Sequence, residues 1–350
     1  GPDDVDEIVL GHFNAGFSAQ DFTAALVLQA DDRLRFKPAT RVENACATGS
    51  GAIHQGLKSI AAKEARFVLV VGVEQMTTTP GPQIGENLLR ASYLPEDGDI
   101  PAGFAGVFGK IAQLYFQRHG DQSDALAQIA AKNHRNGVSN PYAQMRKDLG
   151  YAFCRTESEK NPFVAGPLKR TDCSLVSDGA AAVVLTDLET ALGRPKAVAV
   201  RATSHVQDFL PMSKRDVVRF EGCGEAWRRA LAKAALSLDD LSFVETHDCF
   251  TIAELIEYEA MGLTGEGEGA RAVLEGWTER DGRLPVNVSG GLKAKGHPIG
   301  ATGVSMHAIS AMQLAGEAGD MQLDGPELAG IFNMGGAAVA NYVSILQALR

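Results

Sequence analysis

Arg66-Phe67-Val68-Leu69-Val70-Val71-Gly72-Val73 is an almost fully apolar run of strand length. Such a run marks a central strand covered on both faces, as in parallel sheets flanked by helices. Outward from it the chain alternates. Residues 48–62 are small and apolar with a helical period, and 39–45 read as a strand. Residues 21–30 read as a helix starting near an Asp cap, and 6–13 as another strand. On the other side, the stretch from about 77 to 174 is irregular. It carries Pro80, Gly81, Pro82, Pro95, Gly98 and Pro101, then helical patterns near 108–118 and 124–133. The strand pattern resumes at 180–185, so residues 77–174 read as an insertion between two strands of one sheet.

The second half repeats the alternation. Strands are predicted at 197–206 and 241–246, helices at 221–235, 251–261 and 302–314, and two last strands at 329–332 and 337–346. Strands separated by helices predict an α/β fold with a largely parallel sheet. The halves also echo one another. Ala47-Thr48-Gly49 opens a helix just after Cys46, and Ala301-Thr302-Gly303 opens one just after His297. The same letters in the same unit of each half point to internal duplication. A pseudo-two-fold axis would then bring the two helix starts, with Cys46 and His297, face to face. The division is a first half of residues 1–76 and 175–196, an insertion of 77–174, and a second half of 197–350.

Bulk composition sets bounds. A formal charge of −10 on 350 residues argues against nucleic acid or an anionic membrane as the main partner. Five cysteines with no C-x-x-C argue against structural zinc and for a reducing compartment. No apolar run reaches the roughly 18 residues of a membrane span. The first residues lack the features of a signal peptide and the last are no peroxisomal address, so the expected location is the cytoplasm.

Three short loops carry the chemistry. Cys46 falls at a tight turn into a helix rich in Gly, Ala and Ser. A helix N-terminus favours thiolate, and small residues let a carbonyl approach the amides, so Cys46 is the candidate nucleophile. His297 is held between Gly296 and Pro298, a turn that fixes the ring and leaves one side open for proton transfer or oxyanion contact. His247 and Cys249 at i and i+2 point to one side of an extended backbone, offering one pocket a donor and a second thiol. No further ligands cluster nearby, so no metal is expected. Asn333-Met334-Gly335-Gly336 can turn tightly and present free amides, whether as a plain hairpin or an oxyanion hole. The loop around Ser289 shapes the site ahead of His297. From Lys110 to Arg170 the insertion has ten Lys/Arg against five Asp/Glu. A local basic surface, ending in Lys169 and Arg170, suits a phosphorylated, nucleotide-like ligand.

At these residues the chain resembles the thiolases, over nearly its whole length. Cys46-Ala47-Thr48 is similar to the family's nucleophile loop and Gly296-His297-Pro298 to its Gly-His-Pro loop. His247-Asp248-Cys249-Phe250 stands where most members read Asn-Glu-Ala-Phe, and Asn333 stands where they carry a final cysteine. Those departures resemble the sterol-carrier-protein type, whose second catalytic cysteine lies in the His-Asp-Cys-Phe loop. The resemblance implies the thiolase fold: five αβαβα layers, two duplicated halves, and an inserted loop domain that binds coenzyme A. It implies acyl-CoA and CoA as substrates, no permanently bound cofactor, and reversible Claisen condensation or thiolysis of 3-ketoacyl-CoA. Cys46 would be acylated, His297 would take its proton, and Cys249 would handle the α-proton. His247 and His297 would hold the enolate or thioester oxygen. The amides of Cys46 and Gly335 would hold the tetrahedral oxyanion, with Asn333, Gly336 and Ser289 around them; Lys169, Arg170 and Ser289 are the candidate substrate contacts. A homodimer or homotetramer is implied too. Two alternatives stand beside it: an acyltransferase or retro-aldolase working with a small zinc-ribbon/OB-fold partner, and a non-catalytic subunit that binds CoA thioesters. Thiolases also begin with a strand and helix ahead of the segment matching 6–13; that unit is expected to be missing, leaving one face of the first sheet uncovered.

Overall fold

The computed structural model describes residues 1–349. In the first half, β1 (Glu7–Gly11) pairs in parallel with β2 (Ala39–Val42) and β3 (Phe67–Glu74), and α1 (Thr48–Ala61) connects the last two. The insertion follows, with α2 (Phe104–His119) and α3 (Ser123–Gly137) as its longest helices. Then β4 (Gly179–Thr186) returns to give the order β2-β1-β3-β4. The second half contains β5 (Val198–Gln207), α4 (Glu221–Ala234), β6 (Phe243–Glu245), α5 (Thr251–Ala260), α6 (Ile299–Leu314), β7 (Leu328–Gly335) and β8 (Ala340–Ala348). Its sheet order is β5-β8-β7-β6.

The apolar run forms β3 as its pattern requires, with Val68 and Val70 fully buried. The sheets are mixed rather than largely parallel. β4 runs antiparallel to β3 with Gly179 opposite Glu74, so the insertion leaves and rejoins the sheet at one end like an enlarged hairpin loop. β8 is antiparallel to both β5 and β7, because only four residues join β7 to β8 and so short a link permits no crossover. Residues 23–30 form a 3₁₀ segment, Thr23–Ala30, rather than an Asp-capped helix. Phe22 enters it at φ 61°, and the Asp21 carboxylate is held away by Arg41 at 3.0 Å. α6 starts at Ile299, three residues ahead of the predicted 302.

The duplication is visible in the connectivity. β1, β2, α1, β3 and β4 recur as β6, a parallel bridge at Val286, α6, β7 and β8. β5 has no counterpart in the first sheet among the described residues. α4 packs on β5 and β8, whereas Ala180, Ala182 and Val184 of β4 are exposed. α1 and α6 cross at the equivalent residues Gly49 and Gly303. A Cβ on Gly49 would lie 2.7 Å from the Gly303 nitrogen, and one on Gly303 would lie 2.2 Å from the Ser50 nitrogen. Only glycine lets the two helix starts come this close. The insertion packs onto the second half, and one continuous core joins Phe104, Phe108 and Leu126 to Cys46, Phe250, Ile252 and Leu255.

Candidate active site

The nucleophile loop is built by a sharp turn. β2 ends, Ala45 takes φ 48°, and the chain enters α1 three residues later, with Thr48 Oγ1 accepting the Asn44 N–H at 2.8 Å. Cys46 rides on that turn. Across the pseudo-two-fold, Gly296 at φ 108° carries the chain into α6, and Ser177 Oγ accepts the His297 N–H at 2.8 Å. The Glu74 carboxylate ties the loop to the first sheet by accepting from Gly300, Phe13 and Asn14 amides at 3.0–3.1 Å. His297 Nδ1 lies 2.7 Å from Thr302 Oγ1, and that hydroxyl donates to the Pro298 carbonyl at 3.1 Å. The hydroxyl therefore accepts the ring's Nδ1–H, which leaves the lone pair on Nε2.

The loop 247–250 is gripped from three sides. Glu257 on α5 accepts from Thr246 Oγ1 at 2.5 Å and from the His247 amide at 3.1 Å. Asp248 accepts from Asn133 of α3 at 2.8 Å and from the Leu292 and Lys293 amides at 2.6 and 3.2 Å. Phe250 stacks on Phe108 of α2 with centroids 4.5 Å apart and planes at 18°. Two of these grips come from the insertion.

These loops converge. A ring nitrogen of His247, a ring nitrogen of His297 and the Cys46 sulfur all lie within 4.8 Å of one another. The rings meet edge to face, 5.0 Å between centroids at 81°, and both Nε2 atoms are buried without a protein partner. Asn333 Nδ2 contacts His247 Nδ1 at 2.9 Å and the Cys46 carbonyl at 3.0 Å. Cys249 is buried close enough to Cys46 for the Cys46 sulfur to raise its proton affinity.

Electrostatically the resting site is neutral. Burial pushes the Cys46 thiol up to about 12, against a smaller opposing pull from the Gly336 amide that faces the sulfur. The helix start does not generate a thiolate here, because removal from water outweighs it. Burial, then Lys295, brings His297 down to about 3, and burial, then His297 and Lys295, brings His247 well below its usual value. Burial, then Cys46, Glu257 and Asp248, pushes Cys249 well up. The arrangement offers a nucleophile beside an open lone pair, a second thiol able to give a proton, and amides for an oxyanion.

Cys46, His247, Cys249, His297 and Asn333 thus come together as the sequence predicts, with Gly335 and Gly336 at the end of β7 beside them. The Gly336 amide also lowers the proton affinity of the Cys46 thiol. Ser289 is fully buried and its hydroxyl donates to Glu245 at 2.6 Å. Lys169 is 2% exposed and 3.5 Å from the Asp172 carboxylate. Arg170 is exposed. The basic surface shrinks further, since Lys132 is buried against Glu254 at 2.7 Å and Arg118, Arg135 and Arg155 pair with Asp216, Glu279 and Asp124. Sequence reasoning missed Thr302, Ser177, Asn133 and Glu257. Thr302 sits inside the quoted Ala301-Thr302-Gly303 triplet, whereas Asn133 and Glu257 are polar residues on helices with no local signal.

Comparison with known proteins agrees with this geometry. Residues 1–189 match the family description "Thiolase, N-terminal domain" and 204–348 match "Thiolase C-terminal domain-like". An acetyl-CoA acetyltransferase of Methanothermobacter thermautotrophicus is 35% identical over 337 residues, covering 95% of this chain and 86% of that protein. Sterol carrier protein 2 of Oryctolagus cuniculus is 35% identical over 323 residues, covering 86% of this chain but 57% of its own length. The chain therefore spans little more than half of that longer relative. Among solved structures, an Ltp2-ChsH2(DUF35) aldolase superimposes with a TM-score of 0.81 at 19% identity, covering 100% of this chain and 88% of that one. Human mitochondrial 3-ketoacyl-CoA thiolase in complex with CoA does so at 0.72 and 18% identity, with the same coverage. These two likenesses concern the fold.

Proposed function

The chain belongs to the thiolase family, and on that premise we propose that it cleaves and forms 3-ketoacyl-CoA thioesters through an acyl group carried on Cys46. In cleavage, Cys46 Sγ attacks the 3-keto carbon while its proton passes to the open lone pair of His297 Nε2. The amides of Cys46 and Gly336 hold the oxyanion. The C2–C3 bond then breaks, and the acetyl-CoA enolate takes its proton from Cys249. A thiol kept neutral by burial is suited to that acid role. Acetyl-CoA leaves and CoA enters, returning a proton to Cys249 as its sulfur attacks the acyl-Cys46 thioester. Cys46 departs and recovers its proton from His297. Condensation is the same path reversed.

The observation that carries this reading is the convergence of Cys46, His247 and His297 within 4.8 Å with Cys249 alongside. Five free cysteines, two of them needed as thiols, support a reducing cytoplasmic setting. We also assign CoA to the insertion, and a homodimer or homotetramer as the working assembly, by family likeness. The aldolase reading with a small partner protein stays second, because a retro-aldol reaction has no use for both thiols. The test is intact-protein mass after brief exposure to acetoacetyl-CoA. An acetyl adduct on wild type and Cys249→Ala, and none on Cys46→Ala, is expected. No adduct on any form, with cleavage of a β-hydroxy thioester intact, would overturn the reading in favour of the aldolase.

A further inference from the structure

The two active-site histidines look alike and have opposite surroundings. The Thr302 hydroxyl leaves His297 with a bare Nε2. His247 has Asn333 at the same place, with Nδ2 2.9 Å from its Nδ1. That amide cannot turn over. The same Nδ2 lies 3.0 Å from the Cys46 carbonyl, which only accepts. Turning the amide would set two oxygens against each other. One N–H of Asn333 therefore goes to the carbonyl and the other to the ring. The choice leaves Asn333 Oδ1 buried with no donor, a cost that the two hydrogen bonds must outweigh. His247 Nδ1 is then an acceptor, and the ring's single hydrogen sits on Nε2, facing the cavity. One histidine presents a lone pair and the other an N–H.

This matters because the cluster is otherwise a metal site. A cysteine sulfur and two imidazole nitrogens within 4.8 Å of one another are three candidate zinc ligands once the thiol gives up its proton. Zinc requires a lone pair on both rings. We propose that Asn333 is a positioning residue that fixes His247 as an Nε2–H donor, and that this tautomer keeps Cys46, His247 and His297 from closing on a zinc ion. The catalytic consequence rests on the thiolase reading; the tautomer and the metal exclusion do not. For zinc to bind, His247 must move its hydrogen to Nδ1, directly against the Asn333 N–H. A carboxylate at 333 reverses this, since it accepts from Nδ1–H in the way that carboxylates support metal-bound histidines.

The experiment is ¹⁵N NMR of histidine-labelled protein, with His247→Gln to assign the ring, followed by titration with Zn²⁺ alone and measurement of bound zinc. Wild type is expected to show His247 protonated at Nε2. Asn333→Asp should show it protonated at Nδ1 and bind zinc about 10- to 100-fold more tightly, the range associated with a changed partner of a ligating histidine. Asn333→Ala, which removes the donor without adding an acceptor, should show mixed tautomers if the aspartate variant does not fold. An Nδ1–H ring in wild type, equal zinc affinity in wild type and Asn333→Asp, or an unmixed Nε2–H ring in Asn333→Ala would overturn the proposal. Should the tautomer be found but no acyl adduct form on Cys46, the thiolase reading fails and this inference stands.

Discussion

Replacing Thr302 by valine keeps the shape of the side chain and deletes one oxygen. That oxygen is the acceptor of His297 Nδ1–H at 2.7 Å, and it donates to Pro298 at 3.1 Å. His297 is 7% exposed, so water does not replace the lost acceptor. An orphaned buried N–H costs about 1–3 kcal/mol, and the fold should lose that much in urea titration. The ring has a way out. It can shift its hydrogen to Nε2, which faces the cavity, and then no lone pair remains to take the Cys46 proton. Where a catalytic histidine is left in the wrong tautomer, turnover falls by up to about 10⁴-fold. We therefore expect acylation of Cys46 to slow by about 10²- to 10⁴-fold in Thr302→Val, with little change in the acetoacetyl-CoA concentration needed for half-saturation. Rapid quench with quantification of the acetyl adduct by intact mass reads this directly. Thr302→Ser, which keeps the hydroxyl, should recover most of the rate. Wild-type acylation in Thr302→Val would refute the argument, because the proton would then have another destination.

Three more expectations follow from the packing and charge. With His297 at about 3 and Cys46 at about 12, both groups are in the form that reacts from pH 5 to 9, so single-turnover acylation should be flat there; a limb near the ordinary histidine value of about 6.5 would contradict this. Phe108→Ala should destabilise by about 3–5 kcal/mol and, by releasing Phe250, should slow deuterium exchange into the α-carbon of acetyl-CoA more than acylation of Cys46. Equal losses in both half-reactions would mean that the stack does not position Cys249. Lys132→Met strands Glu254 in a dry site at a cost of about 3–5 kcal/mol, and Lys132→Met combined with Glu254→Gln should recover part of it; additive losses would show that the ion pair is not the coupling term.

The sequence made much of this legible because the key signals are local. β3 reads from its unbroken apolar run, and Cys46 and His297 read from glycine-rich turns whose torsions few other residues adopt. The duplicated Ala-Thr-Gly triplets located the crossing of α1 and α6, which no composition argument would find. What stayed hidden depends on tertiary contact. Strand direction in β4 follows from where the insertion ends, and a sequence pattern carries no record of that. Lys169 and Ser289 read as candidate substrate contacts because their types are usually accessible; their buried partners, Asp172 and Glu245, lie on the same loop and on a distant strand, respectively. The thiol of Cys46 read as activated because a helix start is visible in sequence and dehydration is not.

The clamp on residues 247–250 also says something about inheritance. Asn133 grips Asp248, Thr251 donates to Asp172 at 2.8 Å, and Phe108 lies flat on Phe250. The loop that carries Cys249 is thus held in place by the insertion. Grafting the insertion from a relative therefore brings a new cradle for Cys249 with it. Changes in the insertion should therefore travel with compensating changes on the 247–250 loop and α5, and swaps of the insertion alone should give folded but slow hybrids.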